Sequence, residues 1–480
     1  MNGRPAAALP QSELARALGA LAPSELLPYR DGHGVARRPA RRPEVQQRVD
    51  WQQVVQLRRQ ASELITENSQ HWASEHSQPM PSDDRLMMGR SVIRTVVREH
   101  AQRLGQTGAQ LWPLALEHAY ASAVEDAIFG YGRLQPLFEI PSAENIEIHG
   151  WDSVVVHYGD GRRVEHPPVA DSDEELVDAI RFLGASASPA RAFDDAHPMM
   201  TLALGDRFRL HAIGFGLSYR PSIVIRQHLL TDVSLDELAE GGMMPQEVSE
   251  LLAQCVLARK SIVISGDQGA GKTTLLRALL AAIPTSERIG TLETDYELLT
   301  HLLPNRRNMV ALQAKVGLGE YRDGRQVGQY SVADLIPEAL RQNLSRLIVG
   351  EVRGAEAGAL FEAMQSGAGT MCTTHSHSAG STMDRLAARV AQGGVFGMDE
   401  AYRQIALNLH LLIHVRLVDD TWRGGVRRRY ISEIRELTGA VENGRPVTHL
   451  CYSTDDHGRP RQLAPSPWLL ADLRSLQEWS

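Results

Sequence analysis

Apolar runs and amphipathic segments alternate along the second half of the chain. Short apolar runs read SIVISG, IGTLE, RLIVGE and GTMCTTH, and segments with helical spacing flank them, namely SLDELAEGGMMPQEVSELLAQCVLAR, TTLLRALLAAI, VADLIPEALRQ and AEAGALFEAMQSG. Strands that are separated by helices predict a mostly parallel sheet with helices on both faces. We therefore predict an α/β domain over residues 229–480, which ends in a C-terminal extension.

The first half of the chain has a different pattern. Two helical segments, RLMMGRSVIRTVVREHAQRL and LWPLALEHAYASAVEDAIF, precede stretches of apolar alternation with the turn signals HG, GDG and GD. This pattern predicts a smaller α+β domain over residues 86–228. Residues 1–85 are rich in Pro, Arg, Gln and Ser and predict a variable, partly disordered tail. Within it, Val54, Leu57, Leu64 and Ile65 have helical spacing, which fits either a surface helix or a partner-binding arm.

Composition narrows the class of protein. The net charge of −8 provides no global basic field, so we expect no direct nucleic-acid binding. Three cysteines without CxxC spacing fit a reducing compartment. The N-terminus lacks a secretory pattern, and no stretch approaches the ~20 apolar residues of a membrane span. We expect a cytoplasmic protein, and docking at the inner face of the membrane stays open.

The stretch GDQGAGKTT matches the phosphate-loop pattern G-x-x-x-x-G-K-[ST], with an apolar strand before it and a helix after it. Glycines let backbone N–H groups converge on phosphate oxygens, and a helix N-terminus adds positive potential. Only three of the 50 basic residues are lysines, and one of them stands at the position that this pattern requires. The alternative is a plain glycine-rich turn. The predicted nucleotide-binding residues are Gly266, Gly269, Ala270, Gly271, Lys272, Thr273 and Thr274, with Thr273 as a ligand of Mg²⁺.

Hydrolysis would need a carboxylate close to this loop. Glu351 follows the apolar run RLIV, and Glu293 and Glu297 follow IGTL. A carboxylate at the C-terminal edge of a parallel sheet lies on the ligand side, although each of these residues could instead cap a helix or form a salt bridge. His375 and His377 have HxH spacing, which fits either a metal site or a hydrogen-bonding sensor of the phosphate, and we favour the sensor.

In this order the motifs resemble those of the type II/IV secretion ATPase superfamily, and most closely its CpaF-like branch, which drives tight-adherence pilus assembly. The resemblance covers about residues 120–440. GDQGAGKTT matches the phosphate loop, TLETDYEL the acidic box, LIVGEVRG the divergent Walker B and GTMCTTHSHS the histidine box. GYGRLQPLFEIPSAENIEIHG, RAFDDAHP, GDRFRLHA and PSIVIRQH resemble stretches of the family's first domain.

This resemblance implies a RecA-like P-loop ATPase domain that binds ATP and Mg²⁺, with a first domain that covers the nucleotide. Glu351 would position the attacking water, Glu293 and Glu297 would assist the metal or the water, and His375 would be the histidine-box residue. Arg191, Arg209 and Arg226 would approach the nucleotide, in some cases from a neighbouring subunit. The sequence shows no acidic neighbour that obviously pairs with each of these arginines.

The family's activity implies a homohexameric motor that acts on inner-membrane platform proteins to assemble pili or export protein. A motor for DNA uptake or conjugative transfer, and a nucleotide-dependent scaffold that does not hydrolyse ATP, stay open. The chain departs from the family pattern at four places. Thr294 follows Glu293 and displaces Asp295 by one position, SGAGT lacks the early histidine, Ser345 precedes Arg346, and Arg133 replaces a proline.

Overall fold

The structure, a computed structural model, describes residues 49–477 apart from 107–110, 188–189, 206, 316, 318–320, 323, 355, 366, 368 and 395. The helices are α1 Trp51–His76, α2 Ser82–Gln106, α3 Leu114–Phe129, α4 Gln135–Phe138, α5 Asp173–Ser186, α6 Leu235–Glu240, α7 Gln246–Leu257, α8 Lys272–Ala281, α9 Val332–Leu340, α10 Glu356–Met364, α11 Ala379–Gln392, α12 Met398–Asn408 and α13 Pro467–Gln477. None of the helices in these ranges combines the length and the apolar character of a membrane span.

The strands belong mainly to two sheets. The first half contributes β1 Ala143–His149, β2 Val154–Tyr158, β3 Arg163–His166, β4 Met199–Leu204, β5 Phe208–Ile213 and β6 Ser222–Gln227. The second half contributes β7 Ile262–Gly266, β8 Ile289–Glu293, β9 Met309–Gln313, β10 Tyr321–Arg322, β11 Arg325–Gln326, β12 Arg346–Val349, β13 Met371–His375, β14 Leu411–Asp419, β15 Arg427–Glu442, β16 Arg445–Thr454 and β17 Pro460–Leu463. Strands β10 and β11 form a separate two-stranded ribbon.

Helix α1 packs with α2 and α3 around one apolar core. Its buried residues Val54, Leu57, Ala61 and Ile65 recur at helical spacing and lie in one cluster with buried residues of α2 and α3. The predicted boundary at residue 85 therefore differs from the packing, because α1 shares its core with the two helices that follow it. Leu64, which we assigned to the apolar stripe, is instead 43% exposed. Residues 1–48 of the predicted tail lie outside the described residues.

The first sheet has six antiparallel strands in the order β3-β2-β1-β6-β5-β4. Helix α5 covers it, because its buried residues Leu176, Ile180 and Leu183 share a core with inward-facing residues of β1 and β6. This arrangement confirms the predicted α+β domain.

The second sheet has nine strands in the order β17-β16-β15-β14-β7-β13-β12-β8-β9. The strands from β14 to β9 pair in parallel. Ile262 and Ile264 of β7 pack with α7 and α8, whereas Val263 faces the core that α9 to α12 share. The α/β prediction is confirmed. The C-terminal extension proves to be part of this sheet, since β15, β16 and β17 continue it in antiparallel pairing.

One predicted helix is divided in the structure. The segment SLDELAEGGMMPQEVSELLAQCVLAR forms α6 and α7. The break falls at Gly241 and Gly242, and Gly242 adopts φ +81°, a left-handed conformation that glycine tolerates best. Pro245 then stands at the N-cap of α7, where its missing N–H is not needed by the helix.

Candidate functional site

The phosphate loop connects the central strand β7 to helix α8. Gly266 ends β7, and a Cβ atom at this position would lie 2.2 Å from the backbone oxygen of Val415 on the adjacent strand. Only glycine therefore fits. Gly269 and Gly271 adopt φ +74° and +93°, and α8 begins directly afterwards without a side-chain cap. The first N–H groups of α8 are consequently directed into the loop, as anion binding requires.

Lys272 is buried beneath this loop, at 7% exposure. Its Nζ donates to the backbone oxygen of Asp267 at 2.8 Å and lies 3.2 Å from Nδ1 of His375. Burial lowers the pKa of Lys272 to about 8, although the nearby Glu351 carboxylate opposes this shift. A phosphate group in the loop would favour the charged ammonium, so the residue suits a phosphate ligand.

His375 connects Lys272 to Glu351. It ends β13, and its backbone is in register with Gly266 of β7. Its Nε2 lies 3.1 Å from Oε1 of Glu351, and the second carboxylate oxygen, Oε2, accepts a hydrogen bond from Arg353 at 2.7 Å. The ends of three adjacent parallel strands thus bring Lys272, His375 and Glu351 into one chain of contacts.

Glu351 is held as a carboxylate. Burial alone would raise its pKa, but His375 and Arg353 outweigh burial and lower the pKa to about 2. The contact of Oε1 with His375 has a short distance without the alignment of a hydrogen bond, and within the described residues this buried atom has no hydrogen-bond partner. Glu351 lines the cavity that Thr273 also lines, where a carboxylate can accept a hydrogen bond from water.

Glu293 is the buried first residue of the acidic loop, residues 293–298, and supports the backbone of that loop. It is 3% exposed, and its Oε1 accepts hydrogen bonds from the backbone N–H groups of Glu297 at 2.9 Å and Leu298 at 2.8 Å. Its Oε2 is buried, with no hydrogen-bond partner in the described part of the chain. Burial raises the pKa of Glu293 to about 7. The Glu293 carboxyl group therefore has a raised pKa and accepts hydrogen bonds from backbone N–H groups, whereas Glu351 has a lowered pKa and contacts side chains.

Arg209 of the first sheet reaches across to the acidic loop of its own chain. Its guanidinium lies 2.8 Å from Oδ2 of Asp295 and 2.6 Å from Oε1 of Glu297. The sequence showed no obvious acidic neighbour for Arg209, and the fold supplies two partners that are distant in sequence. The displaced Asp295 of the acidic box is one of them.

Two cavities flank the phosphate loop. One is lined by Arg209, Thr273, Glu293, Thr294, Asp295, Glu297, Gly350, Glu351 and Arg353. The other is lined by Glu144, Arg226, Gln227, His228, Leu229, Leu230, Met243, Gly269, Gly271, Thr274, Arg277 and Arg429. The fold thus brings most of the predicted site residues together. Gly266, Ala270 and Lys272 line neither cavity but belong to the loop or to the start of α8, and His375 contacts Lys272. Arg191 also lines neither cavity, and its backbone N–H donates to the backbone oxygen of Gly184 at 2.8 Å.

The residues around Thr273 suit Mg²⁺. A hydroxyl and the unpaired carboxylate oxygens of Glu293 and Glu351 are the hard oxygen ligands that Mg²⁺ prefers. Across the described ranges, no three His, Cys, Asp or Glu side chains form a metal cluster, so Mg²⁺ would be held by one or two side chains together with phosphate oxygens. His375 and His377 also diverge, since His377 is exposed and lies 3.2 Å from Asp267. The pair therefore does not form the metal site that HxH spacing allowed.

Sequence reasoning missed several arginines that hold the site. Arg277 of α8 donates to the backbone oxygens of Leu230 at 2.6 Å and of Glu297 at 3.0 Å. It thereby ties the phosphate-loop helix to the segment that joins the two sheets and to the acidic loop. An arginine within the apolar helical run TTLLRALL was the available signal, because a buried charge needs partners.

Residues 158–460 match the family model described as type II/IV secretion system protein. The chain belongs to this family. A putative conjugal transfer protein of Mycobacterium tuberculosis is 32% identical over 343 residues, which are 68% of this chain and 89% of that protein. The type IV secretion system protein PtlH of Bordetella pertussis is 35% identical over 138 residues, 28% of this chain and 38% of PtlH.

Solved structures are also similar to this member of the family. The ATPase DotB of Legionella pneumophila is 22% identical, with a TM-score of 0.44 over 61% of this chain and 77% of that chain.

Proposed function

We propose that this chain is an Mg²⁺-dependent ATPase motor that works as a homohexamer at the inner face of the cell membrane. It would act on platform proteins of the membrane and power pilus assembly or protein secretion, as in the CpaF-like branch. The observation that carries this proposal is the contact chain from Lys272 through His375 to Glu351. It supports ATP as cofactor, because the three residues adjoin a phosphate loop.

Each residue of this chain has a part that follows from its geometry. Lys272 and the loop amides hold the phosphates, and Thr273 with Glu293 would hold Mg²⁺, which supplies charge neutralisation when bound. Glu351, an anion at neutral pH, lines the cavity beside Thr273 and orients the attacking water. His375 and Arg353 hold Glu351 in place, and His375 also contacts Lys272.

The first domain completes the motor in this proposal. Arg226 lies in the cavity beside Gly271 and, within the described residues, has no hydrogen-bonding or ion-pair partner of its side chain. It is therefore free to offset charge on a phosphate. Arg209 instead pairs with the acidic loop. Movement of the first domain against the second would then couple hydrolysis to mechanical work, a rigid-body change of the kind that ring motors use.

A second cargo is supported by the relatives. One is named a putative conjugal transfer protein, and its similarity extends over 89% of its length. The same motor serving conjugative DNA transfer is therefore our second candidate. The motor itself need not contact DNA in this case, because its contacts would be with the membrane platform.

The test is steady-state ATP turnover by the purified full chain, with Mg²⁺ and with excess EDTA, beside light scattering. We expect Mg²⁺-dependent turnover by a hexamer-sized particle in the presence of ATP, and no turnover by Lys272→Ala. ATP binding without turnover in the wild-type chain would instead support the non-hydrolysing scaffold. Normal turnover by Lys272→Ala would refute the assignment of the phosphate loop, and a strict monomer would refute the ring.

A further inference from the structure

Two arginines of the C-terminal strand β15 lie against the phosphate loop from the side opposite to Glu351. The Nε of Arg429 donates to the backbone oxygen of Gly269 at 2.7 Å. A Cβ atom at Gly271 would lie 3.6 Å from Cδ of Arg429, and one at Gly269 would lie 3.7 Å from a guanidinium nitrogen of Arg427. The loop therefore rests on both side chains.

The same two arginines bind the first domain. A guanidinium nitrogen of Arg429 lies 2.7 Å and 2.8 Å from the two carboxylate oxygens of Glu144, at the start of β1. Arg427 reaches Glu144 at 3.1 Å. The backbone oxygen of Tyr158, which ends β2, accepts a longer bond of 3.4 Å from Arg427, and that of the next residue, Gly159, accepts one of 3.4 Å from Arg429. We call Glu144, Arg427 and Arg429 the Glu144 cluster.

The side chains of the Glu144 cluster are mostly buried, which strengthens the hydrogen bonds between them. The side chains of Arg429, Arg427 and Glu144 are 6%, 13% and 15% exposed. Charge-assisted hydrogen bonds in such a site are strong and geometrically specific, and removal of one partner leaves a buried charge unpaired. The alternation of RRRYIS in β15 places Arg427 and Arg429 on one face, whereas Arg428 between them is exposed.

The bond to Gly269 orients the peptide group that follows it. In a planar trans peptide the C=O and the next N–H point in opposite directions. With its oxygen held by Arg429, this peptide turns the N–H of Ala270 into the loop, where it makes a 3.3 Å bond to the backbone oxygen of Asp267. Lys272 donates to the same oxygen. Arg429 thus fixes the peptide group between Gly269 and Ala270, and with it the turn whose Asp267 oxygen also binds Lys272.

From this geometry we infer that Arg429 is a positioning residue through which Glu144 of the first domain sets the affinity of the phosphate loop for nucleotide. When Glu144 is in place, Arg429 is held against Gly269 and the loop amides converge. When the first domain moves away, Arg429 loses its carboxylate partner and its constraint on Gly269. The inference rests on the proposed nucleotide site and adds the route by which the first domain acts on it.

The test measures equilibrium binding of a fluorescent ATP analogue, with ATP competition, to Glu144→Gln, Arg429→Met and the double variant of the full chain. We expect Arg429→Met to weaken binding by about tenfold or more and Glu144→Gln by a smaller factor, within the range of ordinary site-to-site coupling. The double variant should bind about as weakly as Arg429→Met alone, since Glu144 acts through Arg429. The matched control is Arg428→Met, on the same strand and exposed, which should bind like the wild type.

Two measurements separate a positioning role from a structural one. Thermal unfolding shows whether each variant is folded at the assay temperature, and hydrogen exchange of residues 266–272 reports the loop directly. If Arg429→Met does not fold, Arg429→Lys, which keeps the charge, takes its place. A folded variant with unchanged affinity and unchanged loop exchange overturns the inference, and so do fully additive losses. If the wild-type chain itself binds no ATP, the proposed function has failed instead.

Discussion

The two sides of the nucleotide site are built in different ways. On the phosphate-loop side, Lys272, His375 and Glu351 lie at or after the ends of the neighbouring strands β7, β13 and β12 of one parallel sheet. On the domain-facing side, Arg209 pairs with Glu297 across 88 residues, and Arg429 pairs with Glu144 across 285 residues. The side chains proposed to bind and hydrolyse the nucleotide are therefore held at one edge of a single sheet. The position of the first domain relative to them depends instead on ion pairs between the two domains.

The phosphate-loop side of the site is therefore rigid, whereas the domain-facing side can rearrange. Strands β7, β12 and β8 are buried along their whole length, so moving their ends would disturb the core. The Arg209 pairs are partly exposed, at 27% for the arginine, and can exchange partners at little cost because partly solvated ion pairs are weak. We expect conformational change to occur at the domain-facing contacts first.

The largest expected effect is that of Glu351→Gln on the rigid side. Glutamine keeps the shape of Glu351 but cannot supply the negative charge that orients water, so we expect turnover to fall about 100-fold or more while Mg-ATP still binds. Glu338→Gln is the matched control, because Glu338 pairs with Arg341 at 2.7 Å on the surface. Turnover and equilibrium binding are measured on both. Full turnover in Glu351→Gln would mean that Glu293 or Glu297, and not Glu351, orients the attacking water.

A smaller effect should distinguish the two arginines of the first domain. Arg226→Ala removes a cation beside the loop that has no side-chain partner among the described residues, so we expect turnover to fall about tenfold with little change in stability. Arg209→Ala leaves Asp295 and Glu297 unpaired, so we expect a loss of stability of about 1 kcal/mol, since these groups are partly exposed. Turnover and thermal unfolding of each variant are the measurements.

Mixing experiments sharpen the same comparison. Because Arg209 finds both of these carboxylate partners in its own chain, turnover by a mixture of Arg209→Ala and Lys272→Ala subunits should not exceed the sum of the turnover of the two separate preparations. Return of activity in mixed rings would show that Arg209 acts across a subunit interface. Co-assembly is verified by co-purification of an untagged variant with a tagged one before the activities are compared.

The sequence predicted the rigid side well because its signals are local. A glycine pattern between a strand and a helix predicted the loop, and a carboxylate after RLIV predicted the position of Glu351. The partners of Arg209, Arg277 and Arg429 were not predicted, because ion pairs between distant segments leave no periodic pattern. We also did not predict the C-terminal strands β15, β16 and β17, because we interpreted this segment only as an extension of the α/β domain.

The last prediction concerns the pH dependence of stability through Glu293. Burial raises its pKa to about 7 from 4.5, so between these values the folded chain retains a proton that the unfolded chain has released. The stabilisation is complete below about pH 4.5 and is lost as the pH rises through 7. Each pKa unit corresponds to about 1.4 kcal/mol, so the contribution is at most about 3 kcal/mol. Glu351, with its pKa lowered to about 2, has no such dependence in this range.

Glu293→Gln removes this titration, and its amide oxygen can still accept the hydrogen bonds from the N–H groups of Glu297 and Leu298. We therefore expect the stability of the variant relative to the wild type to increase between pH 5 and pH 8. Thermal or urea unfolding in EDTA at several pH values measures this difference, with Glu338→Gln as the exposed control. A difference that stays constant with pH would mean that Glu293 is ionised throughout. The rigid side would then hold two carboxylates beside the phosphate loop, and the contrast between Glu293 and Glu351 would disappear.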